Sequence, residues 1–226
     1  MRVLKMLAIG AVLALTPAVW ADKKSEAFVA SNADSVLKVL NDASLSSSER
    51  RVRFSEYMHK FAYVPDIARR VLGPEGRSLS KEEFDRYYKT FEAYAIAVYE
   101  VQLDQFRGEA IQVTGSKDDD ARRSTVFSVI KSTDSGKDIN VQWDVLASQD
   151  GKTYRVRDVG IDINNSVLWL AQDQQAQFSK FLGRNNGDVD KLIVRINQMI
   201  ADMAARKKSG TGSTLGKVSR GGARPG

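Results

Sequence analysis

The sequence has no cysteine among its 226 residues, and its one histidine is His59. The first absence removes disulfide frameworks, zinc–thiolate sites, disulfide redox work and cysteine nucleophiles. His59 stands in "EYMHKF", a helical stretch with charged neighbours, and reads as a surface or half-buried residue. On that reading no Ser–His–Asp arrangement is possible. Glycine-rich phosphate loops are missing too, because "GRNNGD" follows a helical pattern rather than a strand. The run Asp118-Asp119-Asp120 lacks the glycine and glutamate of a calcium loop and reads as a solvated turn.

Long apolar runs are also lacking. The stretch "MLAIGAVLAL" falls well short of the ~20 residues a membrane-spanning helix needs. It follows Arg2 and Lys5 and precedes Pro17 and "AVWA", which places Val19 at −3 and Ala21 at −1 of a signal-peptide cleavage site. Residues 1–21 are therefore expected to be a cleaved signal, with export and a mature chain beginning at Asp22. No cysteine follows the cleavage point, so no lipoprotein is expected.

The formal charge is +6, but eight positive charges lie in the first 21 residues and from Arg206 onward. Removing them leaves about −2 for residues 22–205, and a nucleic-acid footprint is absent. The stretch "RKKSGTGSTLGKVSRGGARPG" is basic, rich in Gly and Ser, and nearly free of large apolar residues. The domain plan is thus a signal over 1–21, one domain over 22–204, and a basic disordered tail over 205–226.

Within the domain the pattern is first helical and then stranded. Val29, Ala33, Val36, Leu37 and Leu40 recur at helix spacing. Ser46-x-x-Glu49 is a capping box ahead of Phe54, Met58 and Phe61. Pro65 opens a short helix that Gly73 stops, and Ser80-x-x-Glu83 caps a long helix expected to reach about Arg107. In that long helix Phe84, Tyr87, Tyr88 and Phe91 form one stripe, and "AYAIAVYEV" is apolar almost all round, as in a helix covered on more than one side.

From Glu109 to Ile163 the period becomes two. Ile139, Val141, Trp143 and Val145 alternate with Asn140, Gln142 and Asp144, and turns fall at "KDDDA", "TDSGK" and "SQDG". A final amphipathic helix carries Val189, Leu192, Ile193, Ile196, Met199, Ile200 and Met203. Helices followed by strands predict an α+β fold. Its expected form is a four-stranded antiparallel curved sheet packed against a layer of four to six helices, enclosing an apolar pocket. Composition alone stops at an exported domain that binds something apolar or another protein.

The ordered set Val71-Leu72-Gly73, Phe84, Phe91, Tyr99, Trp143, Gly151, Asp158-Val159, Ser166, Phe178, Gly187 and Leu192-Ile193 resembles the MlaC family of periplasmic phospholipid carriers. The chain departs from that pattern at "GPEGR" after Val71-Leu72-Gly73, at Asn164-Asn165 in the apolar corner, and at Gln175. The resemblance implies a soluble shuttle for a phospholipid. It would run between an outer-membrane lipoprotein complex and an inner-membrane ABC transporter with a lipid-binding ring, and so maintain outer-membrane lipid asymmetry. The departures leave open a hopanoid-type lipid as cargo.

No enzyme activity is expected, and no cofactor or metal beyond lipid as cargo; a monomer is expected. The lipid-binding residues follow from the sheet's alternation and the helix facing it: Ile111, Val113, Val141, Trp143 and Val145, with Phe91, Ala95 and Tyr99 opposite and Val71 and Leu72 at the rim. A single shift of register would move every strand choice to the wrong face. Two readings from other classes stay beside the carrier. One is a small-molecule enzyme, which needs an acid/base pair inside the cavity; the other is a periplasmic adaptor or chaperone with a filled core.

Overall fold

The structure is a computed structural model that describes residues 22–42, 44–103, 110–131, 138–163 and 165–208. The expected signal over 1–21, the turn at "TDSGK" and the tail beyond Lys208 lie outside the described residues. Six helices and five strands follow in the order α1 (Lys23–Asn41), α2 (Ser47–Phe61), α3 (Val64–Val71), α4 (Lys81–Leu103), β1 (Ile111–Asp118), β2 (Arg123–Ile130), β3 (Ile139–Ala147), β4 (Tyr154–Ile163), β5 (Ser166–Trp169), α5 (Leu170–Arg184) and α6 (Val189–Lys208). α6 thus continues four residues into the stretch read from sequence as tail.

The helix starts are set by local chemistry. Asp22 caps α1 by accepting the Lys24 N–H, and Ser46 and Glu49 form the reciprocal capping box of α2. Ser80 and Glu83 do the same for α4, with Ser80 N–H on the Glu83 carboxylate at 2.8 Å and Glu83 N–H on the Ser80 hydroxyl at 3.2 Å. α3 carries a proline in its first turn and ends where Gly73 takes φ 67°, a left-handed turn that an L side chain resists. Just beyond, a Cβ on Gly76 would sit 2.6 Å from the Arg69 carbonyl oxygen, so the "GPEGR" segment folds tightly onto the end of α3. Arg69 closes that turn by donating to the Gly76 carbonyl and lying 3.9 Å above the Phe84 ring.

The sheet is a single antiparallel meander in the order β1-β2-β3-β4-β5. It has one strand more than expected. The apolar corner after Asn164-Asn165 is not a corner but β5, which pairs with Gly160–Ile163 of β4. Asn165 takes φ 64°, the turn geometry that short hairpins demand. Gly160 makes the pairing possible, because a Cβ there would lie 2.6 Å from Val167 Cγ1 and 3.2 Å from the Trp169 ring. The first half of β4 lacks β5 as a neighbour and is covered instead by the α2–α3 connection, where Ala62 bridges Val156 and Tyr63 N–H donates to the Val156 carbonyl.

Register and alternation agree with the sequence. One face presents Ser124, Val126, Ser128 and Ile130 from β2 and Val141, Trp143 and Val145 from β3, all buried. Register shifts between Val113 and Gly115 and between Asp144 and Val145 mark irregularities that bend the strands. Over this face α1 packs on β1, α5 packs on β4, and α4 lies against α6.

Candidate functional site

Between the curved face and the helices lies a cavity of about 190 Å³. Its sheet wall runs diagonally. Ile111, Ile130 and Ile139 form one cross-strand row, Val141 and Ile161 the next, and Trp143 and Val159 the third. The first four helices each contribute a stripe at helical spacing: Ala33, Val36 and Leu37 from α1; Phe54, Met58 and Phe61 from α2; Val64, Ile67 and Val71 from α3; Phe91, Tyr94, Ala95 and Val98 from α4. The start of α5 closes the remaining side with Leu170, Ala171 and Gln174.

Trp143 can stand in an apolar wall because its polar edge is satisfied. Its indole N–H donates to the Ser128 hydroxyl at 2.8 Å, and that hydroxyl is 3.4 Å from the Val141 carbonyl, to which it donates. Phe61 meets the same ring edge-on, with centroids 5.5 Å apart.

Six of the ten residues chosen from sequence line this cavity: Val71, Phe91, Ala95, Ile111, Val141 and Trp143. Leu72, Val113 and Val145 do not. Val145 is on the correct face but is only 1% exposed within the core, although its cross-strand partner Val156 reaches the cavity. Val113, on β1, pairs with Ser128 of β2 and packs against the buried core cluster. Leu72 is fully buried at the end of α3, inside the core rather than at a rim. Tyr99 belongs to α4, and its side chain lies outside the described residues. Tyr94 and Val98 escaped notice although Phe91, Tyr94, Ala95 and Val98 keep the i, i+3, i+4, i+7 spacing of one helix face.

A few polar groups interrupt the apolar lining. Asp158 is only 5% exposed, and its Oδ1 accepts the N–H groups of Val159 and Ala171, each at 2.8 Å, at the first turn of α5. Burial pushes the Asp158 carboxyl above the usual aspartate range, against the backbone N–H groups of Ala171, Val159 and Gln172 and the charge of Arg70. Asp66 accepts from Arg70 Nε at 3.1 Å, so the guanidinium whose charge acts on Asp158 is itself bonded to a second acid. Tyr94 is held in its neutral form by burial, far above the ordinary tyrosine range, and its hydroxyl donates to Gln174 Oε1 at 2.5 Å. Among the described residues no group of acids and histidine is arranged to hold a metal ion. No described helix is long and apolar enough to cross a membrane.

The profile of a family described as "MlaC protein" matches residues 30–198. The fold is similar to a solved structure from Ralstonia solanacearum, a phospholipid-binding protein in complex with a phospholipid, at 19% identity and TM-score 0.67. The match covers 79% of this chain and 98% of the other. No curated protein matches the chain.

Proposed function

The chain belongs to the MlaC family, and from that premise we propose that it is a soluble periplasmic carrier of a phospholipid. The observation that carries this reading is the cavity, apolar on nearly every side and bounded by a bent sheet and five helices. Support comes from the Ralstonia solanacearum protein, which shares the fold and has a phospholipid bound. The carrier would take its cargo between an outer-membrane lipoprotein complex and an inner-membrane ABC transporter with a lipid-binding ring, and so maintain lipid asymmetry of the outer membrane. Residues 1–21 would direct export.

The physical chemistry is that of shielding. Each methylene removed from water contributes ~0.8 kcal/mol, so even a partly covered acyl chain binds with a large gross gain. A cavity of ~150 Å³ suffices for benzene, so one of about 190 Å³ admits only a short length of chain. Two chains therefore enter only as the helical layer moves away from the sheet. That coupling suits a shuttle: docking that favours the closed packing expels the tails, and the transporter supplies the energy.

Native mass spectrometry of the chain from Asp22, purified from a periplasmic extract and followed by organic extraction, tests this. A co-purifying phospholipid mass is the expected result. A hopanoid-type mass keeps the mechanism and changes the cargo. A chain that stays empty after incubation with phospholipid vesicles refutes the carrier and favours the adaptor reading.

A further inference from the structure

The elements around the cavity are fastened unequally. On the side of α3, β4 and α5 the bonds are internal. Tyr87 of α4 donates to the Ala68 carbonyl of α3 at 3.2 Å, and Tyr94 of α4 donates to Gln174 of α5. Asp158 of β4 accepts the Ala171 N–H of α5 at 2.8 Å, and Arg70 of α3 donates to the Arg157 carbonyl of β4. Tyr87, Tyr94 and Asp158 are each no more than 5% exposed. Across the seam between α2 and α4, two groups of α2 share one carboxylate of α4 near the surface. His59 Nε2 donates to Glu92 Oε1 at 2.5 Å, and the Ser55 hydroxyl stands 3.5 Å from the same oxygen. Ser55 and His59 are one turn apart and so face the same way. The His59 and Glu92 side chains are 44% and 27% exposed. Packing divides here too: Leu37 and Phe54 form a small buried cluster, with Val36 and Ile96 against it, separate from the main core of Phe61, Phe91 and Trp143. Arg51, Val52, Arg53, Glu56 and Lys60 of α2 are all exposed, so among the described residues nothing covers its outer face.

Water competes for both partners of a half-exposed pair, so opening it costs little. Opening a buried bond strands its groups and costs the full desolvation penalty. The α2–α4 seam therefore parts more readily than the α3–β4–α5 side. It also lies directly over the cavity: Met58, next to His59, and Phe91, next to Glu92, are both wall residues. We infer that a lipid chain enters and leaves between α2 and α4, and that the His59–Glu92 pair is the clasp on that portal. This rests on the carrier reading and deepens it by naming the part of the helical layer that moves. Neither His59 nor Glu92 lines the cavity. The clasp thus governs how fast a chain passes in either direction, and not how tightly the cavity holds it.

The test is the rate at which the full chain, loaded with pyrene-labelled phosphatidylcholine, releases it to vesicles of plain phosphatidylcholine, with uptake measured in the reverse arrangement. His59→Glu sets two carboxylates against each other. It should raise both rates by about fivefold and keep the loaded fraction at equilibrium within about twofold of wild type. Adding Glu92→Lys restores a pair with the charges exchanged and should return both rates close to wild type. Arg86→Glu is the control: it breaks the exposed pair of Arg86 with Asp190, 3.0 Å apart between α4 and α6, and α6 contributes nothing to the cavity lining. It should leave both rates unchanged. Should His59→Glu fail to fold, Glu92→Gln keeps the size of the side chain and should raise both rates by about twofold. Wild-type rates in the folded seam variant, no recovery in the charge-exchanged double variant, or an equal rise in Arg86→Glu overturns the portal and leaves the carrier intact. Faster release with slower uptake, and so a lost loaded fraction, marks a damaged cavity and overturns the clasp. A wild-type chain that takes up no labelled lipid overturns both.

Discussion

At Trp143 one side chain does two things, and they can be separated by mutation. The ring forms cavity wall, and its N–H ties β3 to the buried Ser128 of β2. Ser128→Ala strands a buried indole N–H and is expected to cost about 1–3 kcal/mol. The double variant with Trp143→Phe should then cost less than the sum of the singles, as equilibrium denaturation would show; strict additivity would mean the bond contributes nothing. Asp158 offers a pH experiment. Its carboxyl binds its proton more tightly folded than unfolded, because burial raises the folded value. Stability from this group is thus greatest in acid and declines as pH rises through that raised value. Asp158→Asn does not titrate and keeps the Oδ1 acceptor, so its stability relative to wild type should improve from acid to neutral pH. Thermal melts across that range check the sign, and a difference that does not change with pH would contradict it.

At the scale of elements, β5 depends on a missing side chain. Gly160→Val would drive a Cβ into Val167 and Trp169, and neither can retreat without breaking the pairing that seats β5 on β4. The expected cost is about 1–3 kcal/mol, with fast amide exchange confined to Ser166–Trp169 and the start of α5. Protection of those amides equal to wild type would show that the sheet edge accommodates the branch. β5 was legible in part: the alternation of β4, the Asn-Asn turn and the following apolar residues are all hairpin signs, yet "SVLW" passes straight into a helix and reads equally as a corner. The helices were more legible, because Ser46, Ser80, Pro65 and Gly73 act through bonds within one turn of chain.

For the whole molecule the cavity is the main energetic feature. An unfilled apolar space of about 190 Å³ carries a penalty of ~4–5 kcal/mol at the cost found per unit of cavity volume in protein cores. Filling it should stabilise the fold by mass action. The lipid-loaded protein is therefore expected to melt several degrees above the delipidated protein at equal concentration. Ala95→Phe, which projects a ring into the space from α4, should raise the melting temperature of the delipidated protein and abolish the further rise on adding phospholipid. A loaded and an emptied protein with the same melting temperature would place the cargo somewhere other than this cavity.

What the sequence determined alone were the properties that act over a few residues: the caps and ends of helices, the alternation that assigns strand faces, and the lack of cysteine that leaves the core to hold the domain. The tertiary structure decided which part of the correct face stays open. Val113 and Val145 carry the same local pattern as Val141 and Ile111, but their side chains are taken up in the packed core around the open space rather than by the space itself. Likewise Tyr94, Asp158 and Gln174 are remote in the chain and meet only when α4, β4 and α5 converge on one wall. Helix periodicity and strand alternation describe one element at a time. A cavity is what several elements leave between them, and that depends on how they are placed relative to one another.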